Sequence, residues 1–532
     1  MAHQDSQLLS HFAGRFAAAL AFGVAAVLIL VQVIYRTTIG RNANSPLRSL
    51  PGPNNHHILV GQSINQLLAG SPEEPYKTWS RQWPQAKAIR FLGMGHTECL
   101  LVNSLDFYRE VLTQSSSVMK PTYAFRKALL AIIGDGLALA SGEAHTKQRN
   151  EVGGFLQTSN VRKFYPLTKT LALERAEELG ADESTGSGDE YLVEVKKAAS
   201  IFALRVIGVF GFGLDLQHFD PSNTILECYE DIFDPTSSGL VLQAIDTLIP
   251  VRWLPLKANK VLSEATGRLR ALITTIVRER IANLSGEVLD DKEWNSMASD
   301  RDDLLTFIAR KQLQSGRSHN EIEAYLVEQG MHYLATGHET TATALAWAMR
   351  ALATHPDITL RLRQGLKTLP EEPSFDDVSN HRLLDCFIKE LLRVHCPVAG
   401  IPRQTTADIP SKALNLVIPK GTVIVPVPAV LSMHPAIWGD DADEFHLERW
   451  DTLDGTPAAD PQAWAAFGYG PRGCLGKPLA MMSLKVAVLE MVKKFDFHLD
   501  TASAVTMVHP NYHNRMLDSY KVRLSRVKGD LL

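Results

Sequence analysis

The chain is poor in cysteine. It has five in 532 residues, Cys99, Cys228, Cys386, Cys396 and Cys474, odd in number, scattered and nowhere in C-x-x-C spacing. A disulfide framework and a zinc knot are thereby excluded, and free thiols suit the reducing, cytosolic side of a membrane. An excess of positive charge is also missing: 54 Lys and Arg against 58 Asp and Glu leave a formal charge of -4. No nucleic-acid partner is expected of such a chain. Internal repeats are absent too. What remains, 45% hydrophobic and 21% charged residues, is the composition of an ordinary globular enzyme, long enough for a large core and for more than one domain.

One stretch lacks charge altogether. Phe16 to Tyr35 reads "FAAALAFGVAAVLILVQVIY", with a single polar interruption at Gln32, and about 20 apolar residues suffice to cross the hydrocarbon core as a helix. Arg36, Arg41 and Arg48 follow, with no acidic residue before Glu73, so the positive-inside rule puts everything downstream in the cytosol. A cleaved signal peptide would carry its basic residues before a shorter apolar core; the other alternative is a buried core helix. Pro51 and Pro53 stiffen the departure from the membrane. The expected order is a lumenal tail (1–15), a transmembrane anchor (16–35), a basic and proline-rich linker (36–57) and one catalytic domain (58–532).

Within that domain, "AIRFLG" and "ECLLVN" predict strands of a small sheet among helices before Gly134. Helical periodicity dominates downstream, broken by polar stretches at Glu183–Glu190 and Ser285–Asp303 that read as surface loops. Ser318 with Glu321 forms a capping box that opens a helix running to about His355, where Pro356 ends it. Its middle, "TGHETT" (Thr336–Thr341), interrupts this apolar rod with a polar, poorly helix-forming patch, the kind of local conflict expected at a functional site. A further helix, "RLLDCFIKELLRVH", precedes strands in "LNLVIPKGTVIVPV". An irregular stretch from Ser432 to Ala466 then leads to "FGYGPRGCLG" and a last long helix from Lys477.

"FGYGPRGCLG" (Phe467–Gly476) has two readings. Gly468, Gly470 and Gly473 spell the G-x-G-x-x-G of a dinucleotide turn, but "DGTPAADPQAWAA" before them is no strand, and Pro471 has no N–H to offer phosphate. The alternative is a thiolate perch. Cys474 would bind haem iron, Phe467 would cover the sulfur, the glycines would let the chain pass close beneath a flat ring, and Arg472 would reach a propionate. Read in isolation, Cys474 could equally be one more buried thiol.

Phe467, Gly470, Arg472, Cys474 and Gly476 fill F-x-x-G-x-R-x-C-x-G, which resembles the haem-binding signature of the cytochrome P-450 family. The resemblance extends from about Pro51 to the carboxyl terminus. It implies a mainly α fold with a smaller β-rich part (α+β), here behind a single N-terminal transmembrane helix, and haem b, iron protoporphyrin IX, as cofactor with Cys474 as the metal ligand. "TGHETT" is similar to the family's oxygen-activation motif, which makes Glu339 and Thr340 the proton-shuttling pair; Gly337 would leave room for dioxygen, and Thr336 stands where Ala or Gly is usual. Glu390, Arg393 and Arg449 resemble the family's structural triad, with Leu447 in place of its proline. Arg149 and Arg403 fit propionate roles, and His145 stands where tryptophan is often found. The implied activity is a monooxygenase that hydroxylates or otherwise oxidises a hydrophobic small molecule with dioxygen. Electrons would come from a separate NADPH-cytochrome P-450 reductase at the membrane of the endoplasmic reticulum, in a metabolic role such as terpenoid or polyketide biosynthesis. Alternatives are an isomerase or dehydratase of the same fold that needs no reductase, and a non-catalytic haem-binding protein. Tyr123–Ile133 and Cys228–Val251, the segments expected at the substrate pocket, are ordinary apolar sequence and name no substrate.

Overall fold

The computed structural model describes residues 44–57, 60–114, 117–181, 190–220, 224–233, 237–246, 250–285, 302–500 and 520–527. The expected tail, the anchor and residues 36–43 of the linker lie outside the described residues, as do the interiors of both polar stretches, 183–189 and 286–301. Among the described residues no helix is long and apolar enough to cross a membrane. Over the described residues the domain is helix-rich with three small sheets, the α+β arrangement expected.

The strands are β1 (Ala88–Leu92), β2 (Glu98–Val102), β3 (Met119–Pro121), β4 (Glu190–Glu194), β5 (Arg403–Thr405), β6 (Ile409–Ser411), β7 (Leu416–Ile418), β8 (Val423–Val425), β9 (Phe495–Leu499) and β10 (Lys521–Arg526). Five of them form one sheet in the order β1-β2-β8-β5-β3. "AIRFLG" and "ECLLVN" supply β1 and β2, paired antiparallel. Strand β2 runs parallel to β8, with Cys99 opposite Val423, so chain segments far apart in sequence close this sheet. Strands β4, β10 and β9 make a second sheet, and β6 with β7 a hairpin.

The helices that position the site are α1 (Leu105–Thr113), α2 (Tyr123–Ile133), α3 (Gly142–Gly153), α4 (Val195–Phe212), α5 (Thr224–Phe233), α6 (Lys257–Ser285), α7 (His319–Thr354), α8 (Arg382–Val394) and α9 (Lys477–Lys494). Helix α7 begins at the expected capping box: the Ser318 hydroxyl accepts from the Glu321 N–H at 3.4 Å, and the Glu321 carboxylate accepts from the Ser318 N–H at 2.9 Å. It ends before His355, ahead of Pro356. Its 36 residues make a rod of about 54 Å, which packs against α2, α4, α6, α8 and α9.

The polar patch in the middle of α7 does not interrupt the helix. The Thr336 hydroxyl donates to the His332 carbonyl at 2.7 Å and the Thr340 hydroxyl to the Thr336 carbonyl at 2.8 Å. These polar groups are thus satisfied within the rod, and packing on several sides overrides their weak propensity. Gly337 has a different role from the one expected. A Cβ there would lie 2.4 Å from Cδ1 of Ile207, so the missing side chain lets α4 approach, and the space it frees is filled by protein.

Removing the cap tests how much of the rod depends on it. Ser318→Ala should cost about 0.5–2 kcal/mol, measured as a lower urea midpoint with native circular dichroism unchanged.

Candidate active site

No strand precedes Phe467. Residues 465–467 form one 3-10 turn and residues 470–472 another, so the strand–turn–helix frame of a dinucleotide site is missing. The loop instead closes on itself: the Cys474 N–H donates to the Phe467 carbonyl at 2.8 Å, and the Gly473 N–H to that of Gly470 at 3.0 Å. Two of the glycines are required by conformation, Gly468 at φ 64° and Gly470 at φ 69°, and a Cβ on Gly470 would meet the Leu112 carbonyl oxygen of α1 at 2.4 Å. Gly473 and Gly476 have φ of -60° and -78°, open to any residue. Phe467 is half-buried edge-on to Trp464, with centroids 5.6 Å apart, and the Lys477 ammonium lies over both rings.

Cys474 stands just ahead of α9. Its side chain is exposed although protein is packed densely around it, so the sulfur borders an internal space. Burial pushes its thiol up, while the N–H groups of Gly476 and Lys477 and the cations Arg149 and Lys477 pull it down. Backbone donors of this kind are what a thiolate ligand to a metal needs around it.

Four side chains expected near a propionate do converge on this loop. Arg149, on α3, donates to the Gly473 carbonyl at 2.9 Å, and Arg472 donates to that of Ala140 at 2.7 Å. Arg403 enters from β5 and His145 lies one turn before Arg149. No ion pair to a carboxylate is formed by Arg149, Arg403 or Arg472 among the described residues, and the buried Nε of Arg403 and Nε and Nη2 of Arg472 have no hydrogen-bond partner. Burial, and then Arg403 and Arg149, bring the Arg472 guanidinium down to about 9; burial brings Arg403 to about 10. Burial and the three arginines bring His145 to about 4, so it is neutral at physiological pH. Clustered cations without a counter-charge are costly, and the arrangement calls for a dianionic group.

On α7, Tyr333, Thr336, Gly337 and Thr340 are half-buried where their neighbours are buried. Their spacing of i, i+3, i+4, i+7 opens one face of the rod. Glu339 is 3% exposed. Of the two segments expected at the pocket, one is α2, which packs on α7, and the other begins with α5. Lys127 of α2 and Asp246 join them as an ion pair at 3.1 Å.

Glu390 and Arg393 are completely buried, far from the exposed i, i+3 pair such a spacing usually makes. All five guanidinium protons of Arg393 are used: Nε and Nη2 on the two carboxylate oxygens of Glu390, both at 2.8 Å, and the others on the carbonyls of Ser432, Ala442 and Glu444. Glu390 also accepts from the His446 N–H at 2.9 Å and from Trp450 Nε1 at 3.0 Å. Arg449, expected as the third member, touches Glu390 only at 3.5 Å. Its stronger partner is Asp441, gripped by both Nη atoms at 3.0 Å, with the Trp438 and Asp441 carbonyls at 2.7 and 2.8 Å. Sequence reasoning missed Trp450 and Asp441. Trp450 directly follows Arg449, and that adjacency was its one visible signal.

The family model described as Cytochrome P450 matches residues 51–521. The chain belongs to the cytochrome P-450 family. The cytochrome P-450 monooxygenase sphH of Aspergillus fumigatus is 28% identical over 520 residues, covering 94% of this chain and 92% of the relative. Monooxygenase 205 of Postia placenta is 26% identical over 507 residues, covering 90% and 91%. Retinoic acid-bound cyanobacterial CYP120A1 shares the fold at a TM-score of 0.69 and 20% identity, over 90% of this chain and 99% of that one. This cytochrome P-450 is a haem-thiolate monooxygenase with haem b as cofactor. The residues present fit that group: an enclosed but accessible cysteine, and orphaned buried guanidinium nitrogens beside it. A surface cleft of about 550 Å³ between Leu50, Trp83 and Leu414 involves none of them.

Two outcomes follow. Glu390→Ala, which strands a buried Arg393, should lose about 3–5 kcal/mol and most of the bound haem, checked by denaturant midpoint and haem per polypeptide. Arg472→Leu should act in opposite directions on the two forms: a higher thermal midpoint for haem-free protein, because one of three clustered cations is gone, and weaker haem retention in the loaded protein.

Proposed function

We propose that this cytochrome P-450 oxidises a hydrophobic small molecule with Cys474 as the iron ligand, Glu339 and Thr340 as the proton-handling pair, and Arg149, Arg403, Arg472 and neutral His145 around the propionates. The observation that carries this reading is the Cys474 sulfur, enclosed yet accessible, beside three arginines without carboxylate partners. Haem, when bound, supplies dioxygen activation, with the thiolate donating electron density that favours O–O cleavage.

The chain's own residues do the rest. Phe467 and Trp464 pack edge-on at the start of the Cys474 loop, and the N–H groups of Gly476 and Lys477 favour the thiolate. Thr340, whose proton is committed to the Thr336 carbonyl at 2.8 Å, offers its lone pairs to the open face of α7 as an acceptor. Glu339, buried on the neighbouring position, is the adjacent acid from which a proton can be drawn.

Electrons come, in this reading, from a separate NADPH-cytochrome P-450 reductase. The uncharged Phe16–Tyr35 segment and its arginine flank support a single-pass anchor with the catalytic domain in the cytosol, at the endoplasmic reticulum. The fungal sources of the relatives are compatible with secondary metabolism, on a terpenoid or polyketide.

The reduced, CO-bound spectrum tests the ligand: a thiolate-type band that Cys474→Ser abolishes is expected, and an imidazole-type band in the unaltered protein would overturn the assignment. Glu339→Gln and Thr340→Ala should leave that band intact while lowering turnover about 10²-fold and diverting NADPH to peroxide.

A further inference from the structure

Two residues from Thr340, and so about 200° around the helix, His338 points away from the open face of α7. It is 1% exposed, and neither ring nitrogen has a hydrogen-bond partner. Its ring lies against that of Tyr229 on α5, with centroids 4.9 Å apart and planes at 32°. Tyr229 is stacked in turn on Phe233 at 5.7 Å. The imidazole is therefore held in place by its neighbour's ring.

Polar groups surround this pair. Glu339 follows His338 directly, and its charge is close enough to raise the Tyr229 phenol further after burial has already done so. Ser200 and Lys196 of α4 are buried near His338. The Ser200 backbone misses hydrogen-bond geometry to His338 but lies near enough to favour its protonated form. Burial outweighs it and holds the ring at about 4, hence neutral. As mere packing, an imidazole is a poor choice here: each unsatisfied buried group costs about 1–3 kcal/mol, which leucine would avoid. Buried polar groups of this kind are served by ordered water, and a neutral imidazole, with one N–H and one lone pair, can join a water chain in either direction.

We propose that His338, clamped by Tyr229, is a positioning residue for Glu339, anchoring a water-borne proton path that reaches Glu339 from the α4 side of the rod. The path would resupply the acid from behind the cavity wall. This rests on Glu339 being the proton-handling acid.

The test needs no known substrate. Full-length holoenzyme is combined with a flavoprotein reductase, NADPH and dioxygen. One NADPH and one proton reduce dioxygen to hydrogen peroxide; two NADPH and two protons reduce it to two waters. Peroxide released per NADPH therefore reports how often dioxygen leaves with its O–O bond intact, and cleaving that bond needs protons delivered from the protein. His338→Phe, which keeps the ring stack, and Tyr229→Ala, which removes the clamp from another helix, should each raise that ratio about twofold, towards the ratio in Glu339→Gln. His338→Gln, which can still hold water, should restore it. Independently of turnover, the infrared C–O stretch of reduced, CO-bound protein should lose its H2O/D2O sensitivity in His338→Phe. If Glu339→Gln raises the ratio and His338→Phe and Tyr229→Ala do not, the inference is wrong and the role of Glu339 stands. If Glu339→Gln itself changes nothing, the reading of Glu339 fails and this path with it. Should His338→Phe lose haem, the Tyr229→Ala ratio decides alone.

Discussion

A charge withdrawn from water has to be answered in full, and the fold around the active-site loop depends on how Glu390 and Arg393 meet that requirement. Five guanidinium protons find five acceptors, three of them carbonyls of the irregular stretch that begins at Ser432. That stretch has only short helical turns and local backbone hydrogen bonds of its own. The guanidinium ties those turns together, and Arg449 repeats the device with Asp441 and two more carbonyls. The chain that delivers Cys474 thus leaves this stretch already fixed in position.

The arginines beside Cys474 follow the reverse logic. Arg149, Arg403 and Arg472 crowd together with no carboxylate, and their guanidinium nitrogens remain in part unsatisfied. Where the Glu390 cluster is complete in the protein alone, this one is complete only with an anionic partner. The contrast separates a structural ionic network from a binding site more sharply than composition could, since both are built from the same residue types.

Much of this was legible in the sequence, for identifiable reasons. Strong local signals carried the elements: the Ser318–Glu321 box and Pro356 bounded α7, and short, largely apolar runs marked β1 and β2. The cysteine motif brought Arg472 and Cys474 together because they are neighbours in the chain. Misjudgements arose where tertiary contact decides. Gly337 suggested space, but Ile207 of α4 fills it. Asp441 as partner of Arg449 and Tyr229 as partner of His338 depend on packing between segments with no shared local pattern. The anchor is read from the hydropathy of Phe16–Tyr35 and the arginines behind it.

The parallel pairing of β2 with β8 has a consequence in time. Cys99 faces Val423, and at a synthesis rate of roughly 5–20 residues per second the strand that covers one edge of β2 emerges about 15–65 s after β2 itself. During that interval the β1–β2 hairpin carries an unpaired edge, the kind of surface that recruits other strands. The amino-terminal part of the domain must therefore wait, shielded by its own helices or by a chaperone, until the last third of the chain arrives to close the sheet.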